Sequence, residues 1–139
     1  MVYKKLLSSL NLNYLNSSGD FTMNYQNKIN ELKRVRGLFK SNYPKNCIKI
    51  TTGESEIHAR VKCQVAYWLL SNGYDIFSEP TFKDNSRADL IGIHKSGISY
   101  IFEIVNSESN KSIELKKEIY PLTLIEVNCK DFDYNNFKL

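Results

Sequence analysis

Two acidic residues interrupt apolar stretches in the second half of the chain. Asp89 lies in the run RADLIGI, and Glu103 lies fourteen residues later in the run IFEIV. Because burying a lone carboxylate is costly, each needs a cation or hydrogen-bond donors nearby. A hairpin register can bring the two residues side by side, where they repel unless a cation such as Mg²⁺ or Mn²⁺ lies between them. The pair predicts a divalent metal site; the alternative is two separate salt-bridged or edge-exposed residues.

A second group of polar residues lies upstream, at the start of a predicted helix. His58 and Lys62 are four residues apart and are therefore neighbours on one helix face. His58 is either an ordinary hydrogen-bonded helix histidine or a contact to phosphate or water. Lys62 is either a solvated helix charge or a cation above the sheet. Glu54 and Glu56 suit the first helical turn, whose dipole favours acids, although either residue could also reach the metal.

The spacing of apolar and turn residues predicts the elements that position these groups. From residue 54 onward their order is helix, three strands, helix and strand, which gives an α/β fold with a mixed central sheet and helices on its faces. A short helix over residues 2–10 can precede them. The predicted helices are 24–40, 54–71 and 108–119, and the predicted strands are 47–51, 74–79, 87–94, 98–105 and 122–127.

Charge is distributed unevenly along the 139 residues. The formal net charge is +4, but residues 1–49 carry nine Lys or Arg against two acids, whereas residues 50–139 carry ten against thirteen. We therefore predict one structural domain, in which a basic N-terminal extension (1–49) packs on an acidic core (50–139). A polyanion contact or a merely soluble basic face would both explain the asymmetry. The candidate nucleic-acid contacts are Lys28, Lys33, Arg34, Arg36 and Lys40 on the first predicted helix and Arg87 beside Asp89.

The remaining composition limits the class of protein. Cys47, Cys63 and Cys129 are widely spaced, which favours small buried hydrophobic side chains over disulfides or a zinc site. No apolar run approaches the roughly 20 residues of a membrane span, and the apolar start of the chain is too short for a signal peptide. The expectation is an intracellular protein without a membrane partner, in a host cell or in a virus that replicates inside one.

Residues 55–127 resemble the PD-(D/E)xK nuclease superfamily, whose shared core is helix, three strands, helix and strand. Ala88-Asp89 matches the family's Pro-Asp element, and Glu103-Ile104-Val105 occupies its (D/E)-x-Lys element. The pattern looks most like the CoiA-like branch, which has a histidine on the first helix, an Arg-x-Asp strand and a Glu-Ile-Gln-x-Ser element. The corresponding letters are EIH at 56–58, RAD at 87–89 and EIVNS at 103–107.

This resemblance implies a restriction-endonuclease-like fold and a nuclease activity. Asp89, Glu103 and the backbone carbonyl of Ile104 would hold Mg²⁺ or Mn²⁺, which would activate water for attack on a DNA phosphodiester. RNA is not excluded as a substrate. A homodimer is possible, because many such nucleases pair to cut two strands.

Val105 departs from the family pattern, because the family usually has lysine at that position. Valine cannot donate a hydrogen bond or stabilise negative charge, and Asn106 is expected on the opposite face of the strand. Lys62, beside His58, is the predicted substitute. The competing interpretation is a catalytically degenerate nuclease fold that serves as a nucleic-acid-binding or protein-interaction module.

Overall fold

The structure of the chain is a computed structural model, which describes residues 18–106 and 110–139. The short helix predicted at 2–10 lies outside the described residues, as does the predicted start of the helix at 108. The helices are α1 (Ser18–Gly37), α2 (Glu56–Ser71) and α3 (Asn110–Ile119). The strands are β1 (Tyr74–Ser78), β2 (Leu90–His94), β3 (Ser99–Val105) and β4 (Leu124–Asn128), followed by a 3-10 turn at Tyr134–Asn136.

The four strands form one sheet in the order β1-β2-β3-β4. β1 with β2 and β2 with β3 pair antiparallel, whereas β3 and β4 are parallel and are connected through α3. The predicted α/β class with a mixed central sheet is confirmed. Whether the fold is restriction-endonuclease-like stays a prediction.

Alternation along the strands buries both faces of the sheet. Leu90 and Phe102 belong to an apolar cluster beneath α2, whereas Ile91 and Ile101 belong to a second cluster that includes Val35 of α1. Because successive strand side chains point to opposite faces, these near-continuous apolar runs fit a sheet covered on both sides.

Helix α2 has well-defined ends that fix its position above the sheet. Ser55 caps its N-terminus by accepting a hydrogen bond from the His58 backbone N–H at 3.3 Å. After the Asn72 C-cap, Gly73 adopts a φ of 83°, which a residue without Cβ tolerates readily. The turn lets the chain enter β1 directly.

Helix α1 is held against the hairpin of β2 and β3. Gly97 in the connecting turn has a φ of 94°, and a Cβ there would lie 2.8 Å from Cβ of Asn27. A side chain at this position would push the turn away from the helix. None of the described helices has the length and apolar character needed to cross a membrane.

The first helix differs from its predicted limits of 24–40, because it runs from Ser18 to Gly37. Past Gly37 the chain tightens, with Leu38 N–H donating to the Val35 carbonyl at 3.0 Å. Phe39 then forms an antiparallel bridge with Phe82. Tertiary pairing therefore ends the helix earlier than its apolar spacing indicates.

The strand predicted at 47–51 is absent among the described residues. Lys49 N–H donates to the Ser78 side chain at 2.8 Å instead of joining a backbone ladder, and residues 47–50 are exposed. The predicted burial of Cys47 is therefore wrong, since it lies on this exposed segment. Cys63 is half-buried and Cys129 is buried.

Candidate active site

The strand register aligns three acidic residues in one row. Ser78 pairs with Leu90 and Leu90 with Phe102, so the next positions toward the same edge are Glu79 directly after β1, Asp89 directly before β2, and Glu103 within β3. The Glu79 N–H donates to the Asp89 carbonyl at 2.9 Å. Asp89 precedes β2 because the ladder begins at Leu90 and not at the predicted Arg87. The hairpin thus brings the two predicted metal ligands side by side.

This row forms part of the wall of an open cavity of about 560 Å³. The cavity contains more polar than apolar groups and combines acids from the sheet with groups from α2, α3 and the loop before α2. Its lining residues are Thr51, Gly53, Glu54, Ser55, His58, Glu79, Arg87, Asp89, Glu103, Ile104, Asn106 and Lys116.

Glu103 is the most strongly perturbed acid of the site. Its side chain is 3% exposed; Lys116 Nζ lies 3.0 Å from Oε2, and the Tyr120 hydroxyl lies 2.8 Å from Oε1. Burial raises the pKa of Glu103 and the charge of Asp89 raises it further, while Lys116 and Tyr120 oppose the shift. The resulting pKa is about 7. A neighbouring carboxylate disfavours ionisation of the first one unless a cation offsets their repulsion.

Asp89 is anchored by the strand next to it. Its Oδ2 accepts a hydrogen bond from the Ile104 backbone N–H at 2.7 Å, and His58 Nε2 lies 3.4 Å from the same oxygen. Ile104, whose carbonyl is a predicted metal ligand, belongs to the cavity wall. The side chain of Asp89 is therefore oriented by both the sheet and helix α2.

Helix α2 supplies a buried ion-pair network behind the cavity wall. Lys62 is fully buried, and its Nζ lies 2.7 Å from Glu54 Oε1 and 3.9 Å from Glu79 Oε1. The interpretation of Lys62 as a solvated helix charge is therefore wrong. Its ammonium contacts Glu54 and Glu79 rather than the Asp89–Glu103 pair, and Lys62 is not among the lining residues of the cavity.

Glu54 joins this network to His58. Glu54 Oε1 lies 2.5 Å from His58 Nδ1, and Glu54 Oε2 accepts from the Thr51 N–H at 3.2 Å. Burial opposes ionisation of Glu54, but the hydrogen bonds from Lys62, Thr51 and His58 outweigh it, so its pKa lies below the ordinary value. A carboxylate at one ring nitrogen fixes the imidazole and leaves the other nitrogen directed at Asp89.

Position 105 and its neighbour differ in exposure. Val105 is buried at the end of β3, and its carbonyl accepts from the Cys129 N–H at 2.8 Å. Asn106 is exposed and lines the cavity. The sequence predicts Asn106 on the opposite face of the strand from Val105. Because β3 ends at Val105, strand alternation does not determine the direction of Asn106, which lines the cavity.

Lys28 of the first helix is engaged within the fold. Its Nζ lies 2.8 Å from Asp75 Oδ2, and Lys45 Nζ lies 3.5 Å from the same oxygen. Burial opposes ionisation of Asp75, but hydrogen bonds from Lys28 and Asn46 outweigh it, and the pKa of Asp75 is lowered. A phosphate contact by Lys28 would have to replace this ion pair.

The other predicted nucleic-acid contacts occupy varied settings. Arg34 binds Glu31 through two nitrogens at 2.6 and 2.9 Å, and the Arg36 guanidinium lies 5.4 Å from the centre of the Phe77 ring. Lys40 Nζ lies 2.5 Å from the Asn85 side-chain oxygen. Two further candidates complete the set, namely Lys33, which is exposed on α1, and Arg87, which is exposed at the cavity wall.

The sequence reasoning missed Lys116 and Tyr120. They lie at i+3 and i+7 from Ile113: Lys116 is on α3, and Tyr120 directly follows the helix with its N–H donating to the Lys116 carbonyl. Ile113 and Tyr120 are buried, and Lys116 is half-buried. That spacing places all three on one helix face. The signal was a lysine on the apolar face of a helix, which indicates an acidic partner beneath it.

Asp89 and Glu103 are two carboxylates in the wall of one cavity. Among the described residues, no three His, Cys, Asp or Glu side chains form a ready ligand group. Mg²⁺ commonly takes one or two carboxylates and completes its coordination with water and substrate oxygens, which Asp89 and Glu103 can satisfy. The Oε2 atom of Glu79 is buried without a hydrogen-bond partner among the described residues, while Lys62 Nζ lies 3.9 Å from the Oε1 atom of the same carboxylate.

Comparison with protein-family models, with curated proteins and with solved structures finds no match for the chain. The geometry of the cavity therefore carries the functional argument.

Proposed function

We propose that the chain is a divalent-metal-dependent nuclease with a restriction-endonuclease-like fold, which hydrolyses DNA phosphodiester bonds in the cavity at Asp89 and Glu103. The observation that carries the proposal is the position of these two acids at the wall of an open polar cavity, where Asp89, directly before β2, accepts a hydrogen bond from the Ile104 N–H beside Glu103 on β3. The order helix, three strands, helix and strand agrees with the core of the PD-(D/E)xK superfamily and supports the same proposal.

Asp89 and Glu103, with the Ile104 carbonyl, would hold Mg²⁺ or Mn²⁺. When bound, such a cation acts as a Lewis acid toward the phosphate and lowers the pKa of a coordinated water. Asp89 is oriented for this role by the Ile104 N–H, and Glu103 by the Tyr120 hydroxyl. Hydrogen bonds within the chain thus fix the orientation of both carboxylates.

We assign to Lys116 the role that the sequence predicts for Lys62. Its ammonium lies 3.0 Å from Glu103 Oε2, its side chain is 27% exposed, and it lines the cavity. A cation held there can donate a hydrogen bond to a water or stabilise negative charge that develops on a phosphate oxygen. Lys62 instead positions Glu54, because it is buried behind the cavity wall.

His58 is the candidate for proton transfer at the opposite wall. Glu54 fixes its Nδ1 side, and its Nε2 is directed toward Asp89. Its side chain is 20% exposed, so a substrate or water in the cavity can reach the ring. An imidazole whose first nitrogen is held by a carboxylate can exchange a proton through its second nitrogen.

A second candidate function is a binding module that has lost catalysis. The observation that favours it is Val105, which is buried at the position where the superfamily usually has lysine. In that case Asp89 and Glu103 would hold a structural metal, and Lys33 and Arg87 would contact nucleic acid without cleaving it.

Cleavage assays on single-stranded, double-stranded and branched DNA and on RNA, each with Mg²⁺ or Mn²⁺, distinguish these functions. We expect Asp89→Asn and Glu103→Gln to abolish DNA cleavage. Lys116→Met should lower the cleavage rate by roughly 10²-fold or more while Mn²⁺ binding is retained, because its contribution belongs to the transition state. Lys117→Met, the adjacent lysine paired with Glu114 on the exposed face, is the matched control.

Nucleic-acid binding without cleavage under all of these conditions would reject the nuclease in favour of the binding module. Normal cleavage by Lys116→Met would reject the role of Lys116 alone. We also propose a homodimer on double-stranded substrates, which light scattering with and without DNA measures directly.

A further inference from the structure

A short hairpin over residues 81–87 lies in the connection between β1 and β2. Thr81 and Arg87 form an antiparallel bridge at its base. The Asn85 N–H donates to the Phe82 carbonyl at 2.9 Å, and Asn85 turns the chain with a φ of 70°, in the left-handed region that asparagine tolerates. Because Arg87 also lines the cavity, the hairpin stands beside the proposed metal site.

Contacts with the core and with the segment after α1 hold the hairpin in one position. Phe82 is buried, and the centre of its ring lies 6.0 Å from that of Phe39 and 5.9 Å from that of Tyr120. The Lys83 N–H donates to the Leu38 carbonyl at 3.0 Å. A hairpin supported in this way can bind a ligand without the entropic cost of ordering a flexible loop.

The charged side chains of the hairpin differ in what they contact. Its one acid, Asp84, accepts hydrogen bonds from the Ser86 N–H at 2.9 Å and from the Ser86 hydroxyl at 2.5 Å. Its two cations, Lys83 and Arg87, are exposed, and neither side chain forms an ion pair with any described residue. Both cations are therefore available to a phosphate without the loss of an existing ion pair.

We propose that the 81–87 hairpin is a DNA-binding arm, on which Lys83 and Arg87 hold backbone phosphates of the strand that enters the cavity. The inference deepens the proposed nuclease and rests on it for the identity of the ligand. Phosphate contacts fix the position of DNA without reading its sequence, so the arm positions the strand and does not select a base. Lys40, whose Nζ lies 2.5 Å from Asn85 Oδ1, supports the arm from behind.

The salt dependence of DNA binding tests the arm without cleavage. Binding of a fluorescently labelled DNA duplex to the whole chain is measured in chelator between about 50 and 200 mM salt. Lys83→Gln and Arg87→Gln should each reduce the slope of log K against log salt by about 0.9, because each removes one phosphate contact. Lys83→Arg should retain the wild-type slope, and Lys130→Gln is the matched control, since Lys130 is exposed and does not line the cavity.

An unchanged slope in either Lys83→Gln or Arg87→Gln would overturn the arm, as would an equal loss in Lys130→Gln. Binding of labelled RNA but not of DNA by the wild-type chain would also overturn it. Reduced slopes without cleavage of any substrate would reject the nuclease and keep the arm. Cleavage with unchanged slopes would reject the arm and keep the nuclease.

Discussion

Replacing Lys62 with methionine removes a buried ammonium from between two buried carboxylates. The side chain of Lys62 is 0% exposed, and its partners Glu54 and Glu79 are each 4% exposed. Methionine retains most of the apolar stem, so the change isolates the charge. Breaking a buried ion pair by removing one partner costs about 3–5 kcal/mol, because the remaining charge is left uncompensated. We expect a loss of that size in the free energy of unfolding.

Urea unfolding at pH 7, in buffer that contains a metal chelator, measures this loss. In thermal unfolding, the same loss should lower the melting temperature by roughly 10–15 °C for a domain of this length. Combining Lys62→Met with Glu54→Gln should cost less than the sum of the two single changes, since each removes the other's unpaired charge. Lys130→Met, at an exposed lysine, should stay within about 0.5 kcal/mol of the wild type.

A loss below about 1 kcal/mol for Lys62→Met would refute this reasoning. The same variant also separates two roles for Lys62. If its ammonium acts on the reacting phosphate, as the sequence alone predicts, the variant should be stable but inactive. If it compensates Glu54 and Glu79, the loss of activity should follow the loss of folded protein and of the fixed orientation of His58.

Three further predictions concern charge. In metal-free buffer, the free energy of unfolding should fall as the pH rises from about 4.5 to about 7, because the raised pKa of Glu103 disfavours its ionised form in the folded state. Urea unfolding at a series of pH values should show a fall of roughly 3 kcal/mol, and Glu103→Gln should remove it. The pKa of Asp75 is lowered from its ordinary value of 3.8, so its ionised carboxylate stabilises the fold at pH values above 3.8. This stabilisation is lost as the pH falls through the lowered pKa, and Asp75→Asn should therefore flatten the acid side of the same stability curve. If α1 contacts DNA, Lys33→Gln should reduce the salt slope of binding by about one, whereas Arg34→Gln should change it little because Glu31 already holds that guanidinium; equal effects would contradict the structure.

The sequence predicts the elements with strong periodicity well. Helix α2 and the strands that follow it lie within a few residues of their expected limits, because apolar spacing, the Ser55 cap and Gly73 all agree. The segment after Gly37 was predicted as helix and residues 47–51 as strand, and both are irregular. Their conformations depend on partners far along the chain, namely Phe82 and Ser78, which local periodicity does not reveal.

The same limit applies to the site. Placing Asp89 beside Glu103 required only the hairpin register, which the two apolar runs and the turn at Gly97 specify. Lys116 could be found only by knowing which face of α3 packs near Glu103 of β3. Lys62 is kept from the proposed metal ligands by its ion pair with Glu54, which lies just before the start of α2. The sequence predicts Lys62 for this role, and its spacing does not reveal that Lys116 contacts Glu103.

The distribution of charge around the row of acids gives the physical reason for expecting cations there. Lys62 of α2 forms an ion pair with Glu79 at one end of the row, and Lys116 of α3 forms one with Glu103 at the other end. Among the described residues, the Ile104 N–H group and the His58 imidazole contact Asp89, in the middle of the row. A cavity that needed only a stable fold would be better filled by apolar side chains, since buried ion pairs rarely repay their desolvation. The position of Asp89 at the centre of this row, beside an open polar cavity, is therefore the physical ground for the metal site that we propose.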